Sequence, residues 1–304
     1  MTTIRMGLSQ ALNNNWDIKQ LDIPTAFLNG KLDTEVYIKV PEGVTIKNKK
    51  EGTVLKLQKA LYGLKESPKC WNKRFDEFCK KINMTRSKHD VCLYIGEQKI
   101  WLILFVDDIL VLGNENEVNK VIKLLQVEFN AKCMGRLRNF LGMEIERNEN
   151  TLKISQKQFI ENLLQKYNMS DCKAMKTPME NNYQAPETEE IINNIPYREL
   201  IGSLTYLATI SRPDITFATS YLSRYLDKST RSLWVAAKRI LHYLKGTMHK
   251  ELTYMKMHED INNISCISAF SDANWGTDTA TRKSVSGMVV YHQGNPISWS
   301  SKKQ

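Results

Sequence analysis

The sequence predicts an α+β protein. Two observations carry that reading. Period-two apolar patterns gather in residues 16–45 and 91–112, and again from Cys266 onward. Between them, residues 197–245 hold three successive helical patterns, so strands and helices are largely segregated along the chain.

Taken in order, Ile18, Gln20 and Asp22 share one side of a first strand, and Leu21 and Ile23 take the other. Pro24 removes a ladder donor and ends it. Val36, Ile38 and Val40 alternate in a second strand that stops at Pro41-Glu42-Gly43. Ser67 suits a helix N-cap and Pro68 the first helical position. Trp71, Phe75, Phe78 and Ile82 then recur at helical spacing, opposite a lysine-rich face. Residues 91–112 read as consecutive strands, the last two meeting at Asp107-Asp108. A helix carrying Val118, Val121, Leu125 and Phe129 follows, then strands Phe140–Glu146 and Thr151–Ser155. Ser155 and Gln158 form a capping-box pattern ahead of the next helix. Residues 177–196 are weakly periodic and punctuated by three prolines, which predicts a long loop. Helices are predicted near Tyr197–Ile210, Asp214–Leu226 and Ser232–Lys245, with Gly246 placed to stop the last.

The net charge of +10 favours an acidic partner, of which nucleic acid is the commonest. The charge is clustered: residues 47–88 hold thirteen Lys/Arg against four Asp/Glu, and residues 224–250 hold seven against one. A solvated helix face is the alternative account of either cluster. None of the six cysteines forms a C-x-x-C pair, which excludes a zinc site of that type and fits reduced, mostly buried thiols. The N-terminal residues lack the apolar core of a signal peptide. Ile100 to Leu112 is too short and too charged to span a bilayer. A cytoplasmic (virus-like-particle) or nuclear location with no membrane partner is therefore expected.

Two adjacent carboxylates between apolar strands repel each other and resist desolvation. A water-exposed tight turn tolerates that. A divalent cation reverses the argument, because it needs oxygen ligands and cancels the repulsion. Two-metal nucleotidyl transfer calls for a third carboxylate from another strand, and Asp22 at a strand end is the candidate.

QLDIPTAFLNG, ALYGLKESPKCW and LILFVDDILVLG occur in that order, followed by FLGMEIE, YRELIGSLTYLATISRPDITFATSYLSRY, KRILHYLKGT and SDANWGTDTATRKSVSGMVVY. Together these words resemble the reverse transcriptases of copia-type retrotransposon Pol polyproteins over nearly the whole chain. The resemblance implies an RNA-directed DNA polymerase fold. Residues 1–155 would be a palm, an antiparallel sheet with helices on one face. Residues 156–250 would be helical thumb or connection, and 251–304 a truncated ribonuclease H-like sheet.

The resemblance makes Asp22, Asp107 and Asp108 the catalytic aspartates. They would hold two Mg²⁺ ions, with Mn²⁺ as a substitute, and the backbone carbonyl of Ile23 would sit beside one of them. Phe27, on residues alone a core aromatic, would lie under the sugar of the incoming nucleotide. Tyr62, Gly63 and Lys65 would meet the nucleotide and template, Gly63 by close backbone approach. Leu141 and Gly142 would grip the primer end, and Asp272 would match the first ribonuclease H aspartate. The implied partners are an RNA or DNA template with primer and deoxynucleoside triphosphates; the oligomeric state is left open. Pro24 stands where the family usually has a polar residue. The fingers segment and the later ribonuclease H acids have no match here, so weak or absent activity is the expectation for the isolated chain. The alternative is a non-catalytic, nucleic-acid-binding remnant of a decayed or co-opted element. Activity that depends on the three aspartates separates the two.

Overall fold

A computed structural model describes residues 1–47, 50–186, 188–257, 266–276 and 281–304. Helix α1 (Thr2–Asn13) opens the chain. Next come β1 (Asp17–Asp22), β2 (Tyr37–Lys39), β3 (Val54–Lys56), α2 (Ser67–Lys81), β4 (Met84–Arg86) and β5 (Leu93–Gly96). They are followed by β6 (Trp101–Phe105), β7 (Asp108–Gly113), α3 (Glu115–Phe129) and β8 (Lys132–Arg136). Then come β9 (Asn139–Phe140), β10 (Met143–Arg147), β11 (Thr151–Ser155) and α4 (Lys157–Lys166). The helices α5 (Tyr197–Ile210), α6 (Thr216–Leu222) and α7 (Arg231–Gly246) precede β12 (Leu252–Met255), β13 (Ile267–Ala273), β14 (Val285–His292) and β15 (Asn295–Lys303). The class is mixed, with helices and several antiparallel sheets, as expected. Among the described residues, no helix is long and apolar enough to cross a membrane.

Contacts divide the chain into two compact units, Asn15–Leu137 and Met1–Asn14 with Arg138–Gln304. The boundaries after residues 155 and 250 fall inside the second of these.

In the unit 15–137, the described strands form one sheet in the order β4-β5-β6-β7-β1-β8, beside the small β2-β3 pair. Leu102 and Leu104 of β6 and Ile109 and Val111 of β7 alternate toward α2 and α3, where Trp71, Phe75, Phe78 and Phe129 complete the core. Phe129 sits 5.3 Å from Trp71 and 5.0 Å from Phe78, ring centre to ring centre, so aromatic packing joins the two helices. β1 pairs with β7 without a break, so its alternation holds, and Ile18 and Leu21 are buried on opposite faces of the strand. Helix α2 begins at Ser67 itself, with Glu66 as N-cap. The Ser67 hydroxyl donates to the Leu61 carbonyl at 2.5 Å and is not free to cap.

In the other unit, the described strands form the sheets β12-β11-β10-β9 and β13-β14-β15. Leu200, Leu204, Leu207, Ala237, Ile240 and Leu244 pack α5 to α7 around one core. The expected capping box is absent: α4 starts at Lys157, and the Gln158 amide donates to Glu144 of β10 at 2.8 Å instead. Ser155 also turns to Glu144, at 3.3 Å. Residues 139–147 are a hairpin of β9 and β10, not the single strand expected. Helix α1, for which the sequence reading made no provision, buries Ile4, Leu8 and Leu12 on one face. Its Arg5 is 3% exposed and stacks over Trp299 at 3.8 Å. It donates to the carbonyls of Ile297, at 3.0 Å, and Thr209. Burial depresses this guanidinium to about 10. The cysteines are all free; Cys70 and Cys79 are buried, while Cys133 and Cys266 are exposed, so only part of the thiol expectation holds.

Arg212 ties the helical part together. Its guanidinium grips Asp214 through two bonds of 2.9 and 2.7 Å and donates to the Thr247 hydroxyl at 2.6 Å. The Tyr243 hydroxyl donates to Asp214 at 2.7 Å. Burial opposes ionisation of Asp214, but Arg212 and Tyr243 outweigh it and hold the carboxyl below its ordinary range. A depressed folded pKa stabilises the fold above the unfolded value of about 3.9, and that stability is lost as pH falls through the folded value. Asp214→Asn should therefore cost about 2–3 kcal/mol at pH 7. In urea unfolding, the gap to the parent should close as the pH is lowered below about 4. A gap constant with pH would mean that charge plays no part.

Candidate active site

The site is built on two neighbouring strand ends. Phe105 pairs with Asp108 across the β6–β7 hairpin, which leaves Val106-Asp107 as a two-residue turn. Val106 has φ +56°, a strained setting for a β-branched residue. The first turn residue thus has positive φ and the second does not, the φ signs of a II′ turn. The Trp71 indole donates to the Val106 carbonyl at 2.7 Å and braces this turn from α2. Strand β1 runs antiparallel to β7 with Asp22 opposite Asp108. The Ile23 amide donates to the Asp107 carbonyl at 2.8 Å, extending the pairing one step past the strand.

The backbone therefore brings Asp22, Asp107 and Asp108 to one end of one sheet. All three are half-buried. The Gln20 amide donates to the Asp108 carboxylate at 3.3 Å. Burial pushes the Asp108 carboxyl above its ordinary range, Gln20 works against this, and the charges of Asp107 and Asp22 add to it. The three carboxylates feel one another, but their side chains do not close up. Among the described residues, no three His, Cys, Asp or Glu side chains stand close enough to hold an ion as they are. The donor set, hard carboxylate oxygens with the adjacent Ile23 backbone, fits a hard divalent cation once the side chains turn inward.

Beyond Ile23, Thr25 takes a left-handed conformation and a 3-10 turn carries Ala26–Asn29. Phe27 is half-buried there, with its ring 4.6 Å from that of Tyr62. Tyr62 is 49% exposed. Its hydroxyl is raised above the ordinary tyrosine value first by desolvation, then by Asp107 and, more weakly, Asp22; the Ala26 and Phe27 amides pull the other way. Phe27 and Tyr62 thus stand beside the aspartates. Gly63 has φ +96°, and a Cβ there would meet nothing within 4 Å. Its positive φ suits glycine, and the space around the turn is open. Lys65 is exposed and makes no ion pair among the described residues.

Leu141 and Gly142 belong to the other unit. They form the β9–β10 turn, both with positive φ, the I′ pattern. The Tyr206 hydroxyl donates to the Leu141 carbonyl at 2.8 Å, and a Cβ on Gly142 would collide with it. Asp272 lies exposed on β13, opposite Gly287. The sequence reading missed the supporting residues Gln20, Trp71 and Tyr206. Only Gln20 left a trace, as a polar residue on the same strand side as Asp22.

The basic stretch is partly neutralised within the fold. Lys73 pairs with Asp33 at 3.2 Å, Lys80 with Asp76 at 2.7 Å, Arg74 with Glu128 and Lys56 with Glu35. Lys59, Lys65 and Lys69 are exposed and make no ion pair among the described residues.

The family model described as reverse transcriptase (RNA-dependent DNA polymerase) matches residues 1–181, and the chain belongs to that family. Over its full length it is 36% identical to the retrovirus-related Pol polyprotein from transposon RE2 of Arabidopsis thaliana, of which it covers 21%. It is 35% identical to that from transposon TNT 1-94 of Nicotiana tabacum, covering 24%. A putative transposon Ty5-1 protein of Saccharomyces cerevisiae is 29% identical over 93% of this chain and 92% of its own length. The chain thus spans about a fifth to a quarter of the Pol polyproteins it matches.

Like charges directly opposite on adjacent strands cost about 0.2–1 kcal/mol. The raised Asp108 carboxyl means that stability falls as pH rises from its unfolded toward its folded pKa. Asp108→Asn keeps an oxygen acceptor for Gln20 and removes the charge. Without divalent ions at pH 7 it should raise stability by about 0.2–1 kcal/mol. Mg²⁺ should raise the Tm of the parent and leave the variant almost unmoved. A variant no more stable than the parent in thermal unfolding would show that the carboxylates do not strain the fold.

Proposed function

We propose that the end of β1 and the β6–β7 turn form a nucleotidyl-transfer centre that extends a primer 3′-hydroxyl with deoxynucleoside triphosphates on an RNA or DNA template. The placement of Asp22 directly opposite Asp108, with Ile23 bonded to Asp107, is the observation that carries this reading. Asp22, Asp107 and Asp108, with the Ile23 carbonyl, would hold two Mg²⁺ ions, or Mn²⁺ in their place. Bound there, the ions supply Lewis acidity that acidifies the primer hydroxyl and offsets charge on the leaving pyrophosphate.

The chain's own residues position the reactants. Phe27, held by Tyr62, offers a ring face to the nucleotide sugar. Tyr62 and the Gly63 turn lie against the base pair. Lys65 offers a cation to phosphate, and Lys59 and Lys69 add to the same field. The Leu141-Gly142 turn, fixed by Tyr206, holds the primer end. In this reading residues 1–155 act as palm and 156–250 as thumb or connection. Residues 251–304 are the start of a ribonuclease H-like sheet, in which Asp272 is assigned no catalytic step.

Primer extension on an RNA template with Mg²⁺ or Mn²⁺ tests the centre. Metal electrostatics contribute several kcal/mol, so Asp107→Asn should lower extension by at least about 100-fold. Extension that survives the substitution would move the chemistry elsewhere.

Phe27 supplies a second test in the same assay. A ring under the sugar leaves no room for a 2′-hydroxyl and no partner for it. Phe27→Val should let ribonucleotides in, with a smaller effect on deoxynucleotides. A ratio of deoxynucleotide to ribonucleotide incorporation that stays at the parent value would return Phe27 to a core role.

A further inference from the structure

Of the three aspartates, Asp22 and Asp108 stand in the strand ladder, which sets their direction. Asp107 stands outside it, in the turn between β6 and β7. A side chain leaves its Cα along a line fixed by the peptide planes on either side. The planes flanking Asp107 carry the carbonyls of Val106 and of Asp107 itself, and each is held from outside the hairpin. Ile23 donates its amide to the Asp107 carbonyl at 2.8 Å. The Trp71 indole, from α2, donates to the Val106 carbonyl at 2.7 Å. With both planes held, the two backbone torsions of Asp107 are fixed, and so is the line along which its carboxylate can reach.

Packing alone accounts for a ring at position 71. Trp71 is 2% exposed and lies 5.4 Å from Phe75 and 5.3 Å from Phe129, ring centre to ring centre. Phenylalanine would fill such a core without bringing a polar atom that needs a partner. The indole N–H is the part the core does not require. It meets the carbonyl of Val106, which is held at φ +56°, a setting that a β-branched residue keeps only when its surroundings impose it. The backbone of Trp71 meets the segment that follows Phe27. A Cβ on Gly30 would lie 2.9 Å from the Trp71 amide nitrogen and 3.0 Å from the Cys70 Cβ, so only glycine lets that segment lie against α2. Trp71 thus meets the aspartate turn with its side chain and the Phe27 segment with its backbone.

We propose that Trp71 is a positioning residue of the nucleotidyl-transfer centre: its indole N–H, acting through the Val106 carbonyl, sets the direction of Asp107 toward the cation. This role rests on the nucleotidyl-transfer reading, which supplies the cation, and adds to it a residue that touches neither substrate nor ion. Positioning and packing differ in what they need from Trp71, since packing needs the ring and positioning needs the N–H.

The test is a Mn²⁺ titration of the full chain, followed by the electron paramagnetic resonance signal of the free ion. The parent should bind, and Asp107→Asn should lose most of that affinity. Trp71→Phe keeps a ring and removes the donor. Partners that orient a metal ligand are worth about 10- to 100-fold in metal affinity, and Trp71→Phe should weaken binding by that much. Phe78→Leu loosens the same core about two turns along α2; it should lower the Tm and bind Mn²⁺ as the parent does. Should Trp71→Phe fail to fold, benzothienylalanine at position 71 takes its place, with sulfur where the N–H was and the ring shape kept, and the same loss is expected. Parent-like affinity in a folded position-71 variant would overturn the proposal and leave the nucleotidyl-transfer reading standing. An equal loss in Phe78→Leu would overturn it too, by tracing the effect to packing. A parent whose Mn²⁺ binding is absent, or indifferent to Asp107→Asn, would sink the nucleotidyl-transfer reading and the proposal with it.

Discussion

The register between β1 and β7 is the constraint on which the rest of the candidate centre depends. Side chains alternate along a strand, so a slip of one residue would move Asp22 to the far face of the sheet. Leu21 and Ile23 resist that slip from one strand, and Ile109 and Val111 resist it from the other, all of them fully buried in one core with α2 and α3. The Ile23–Asp107 bond then fixes the chain one residue beyond the ladder. Apolar burial thus holds three like charges within reach of one another. A pair of opposed carboxylates costs a fraction of what those four buried side chains contribute.

Local backbone strain follows the same logic. Val106 and Leu141 are ordinary residues in left-handed turns, and each turn carbonyl is held by a distant aromatic side chain. Trp71 reaches Val106 from α2, and Tyr206 reaches Leu141 from α5. A glycine at either position would relieve the strain and loosen the turn. Packing against an aromatic donor instead makes the turn part of the core's rigidity.

The local features of this fold were legible in the sequence. Alternation and spacing placed β6, β7, α2, α3 and the helices α5 to α7, because each signal lies within a few residues of its effect. What escaped depends on partners far along the chain. Arg5 in α1 bonds to residues 204 and 292 positions away, so no window around it shows why a helix ends up buried there. The capping box at Ser155 failed because Glu144, eleven residues earlier, competes for both of its members. The strand glycine at Gly142 proved to be a turn, set by a tyrosine that no spacing rule connects to it. For the candidate centre, the strand pattern placed Asp22 and the Asp107-Asp108 turn at strand ends, but the pairing of those ends with each other depends on a register between residues 86 positions apart.

Composition shows a similar limit. A net charge of +10 reads as a uniform attraction for an acidic partner, yet the fold consumes much of it. Lys73, Lys80, Arg74 and Lys56 answer acids of their own unit and are removed from the outward field, while the exposed pairs among them, Lys73–Asp33 and Lys56–Glu35, add little stability. What remains is patterned. Lys59, Lys65 and Lys69 make no ion pair among the described residues and border the segment that carries Tyr62. There the cations stand beside an exposed ring, that of Tyr62. A π face beside positive charge, rather than total charge, is the arrangement that suits a chain of bases and phosphates.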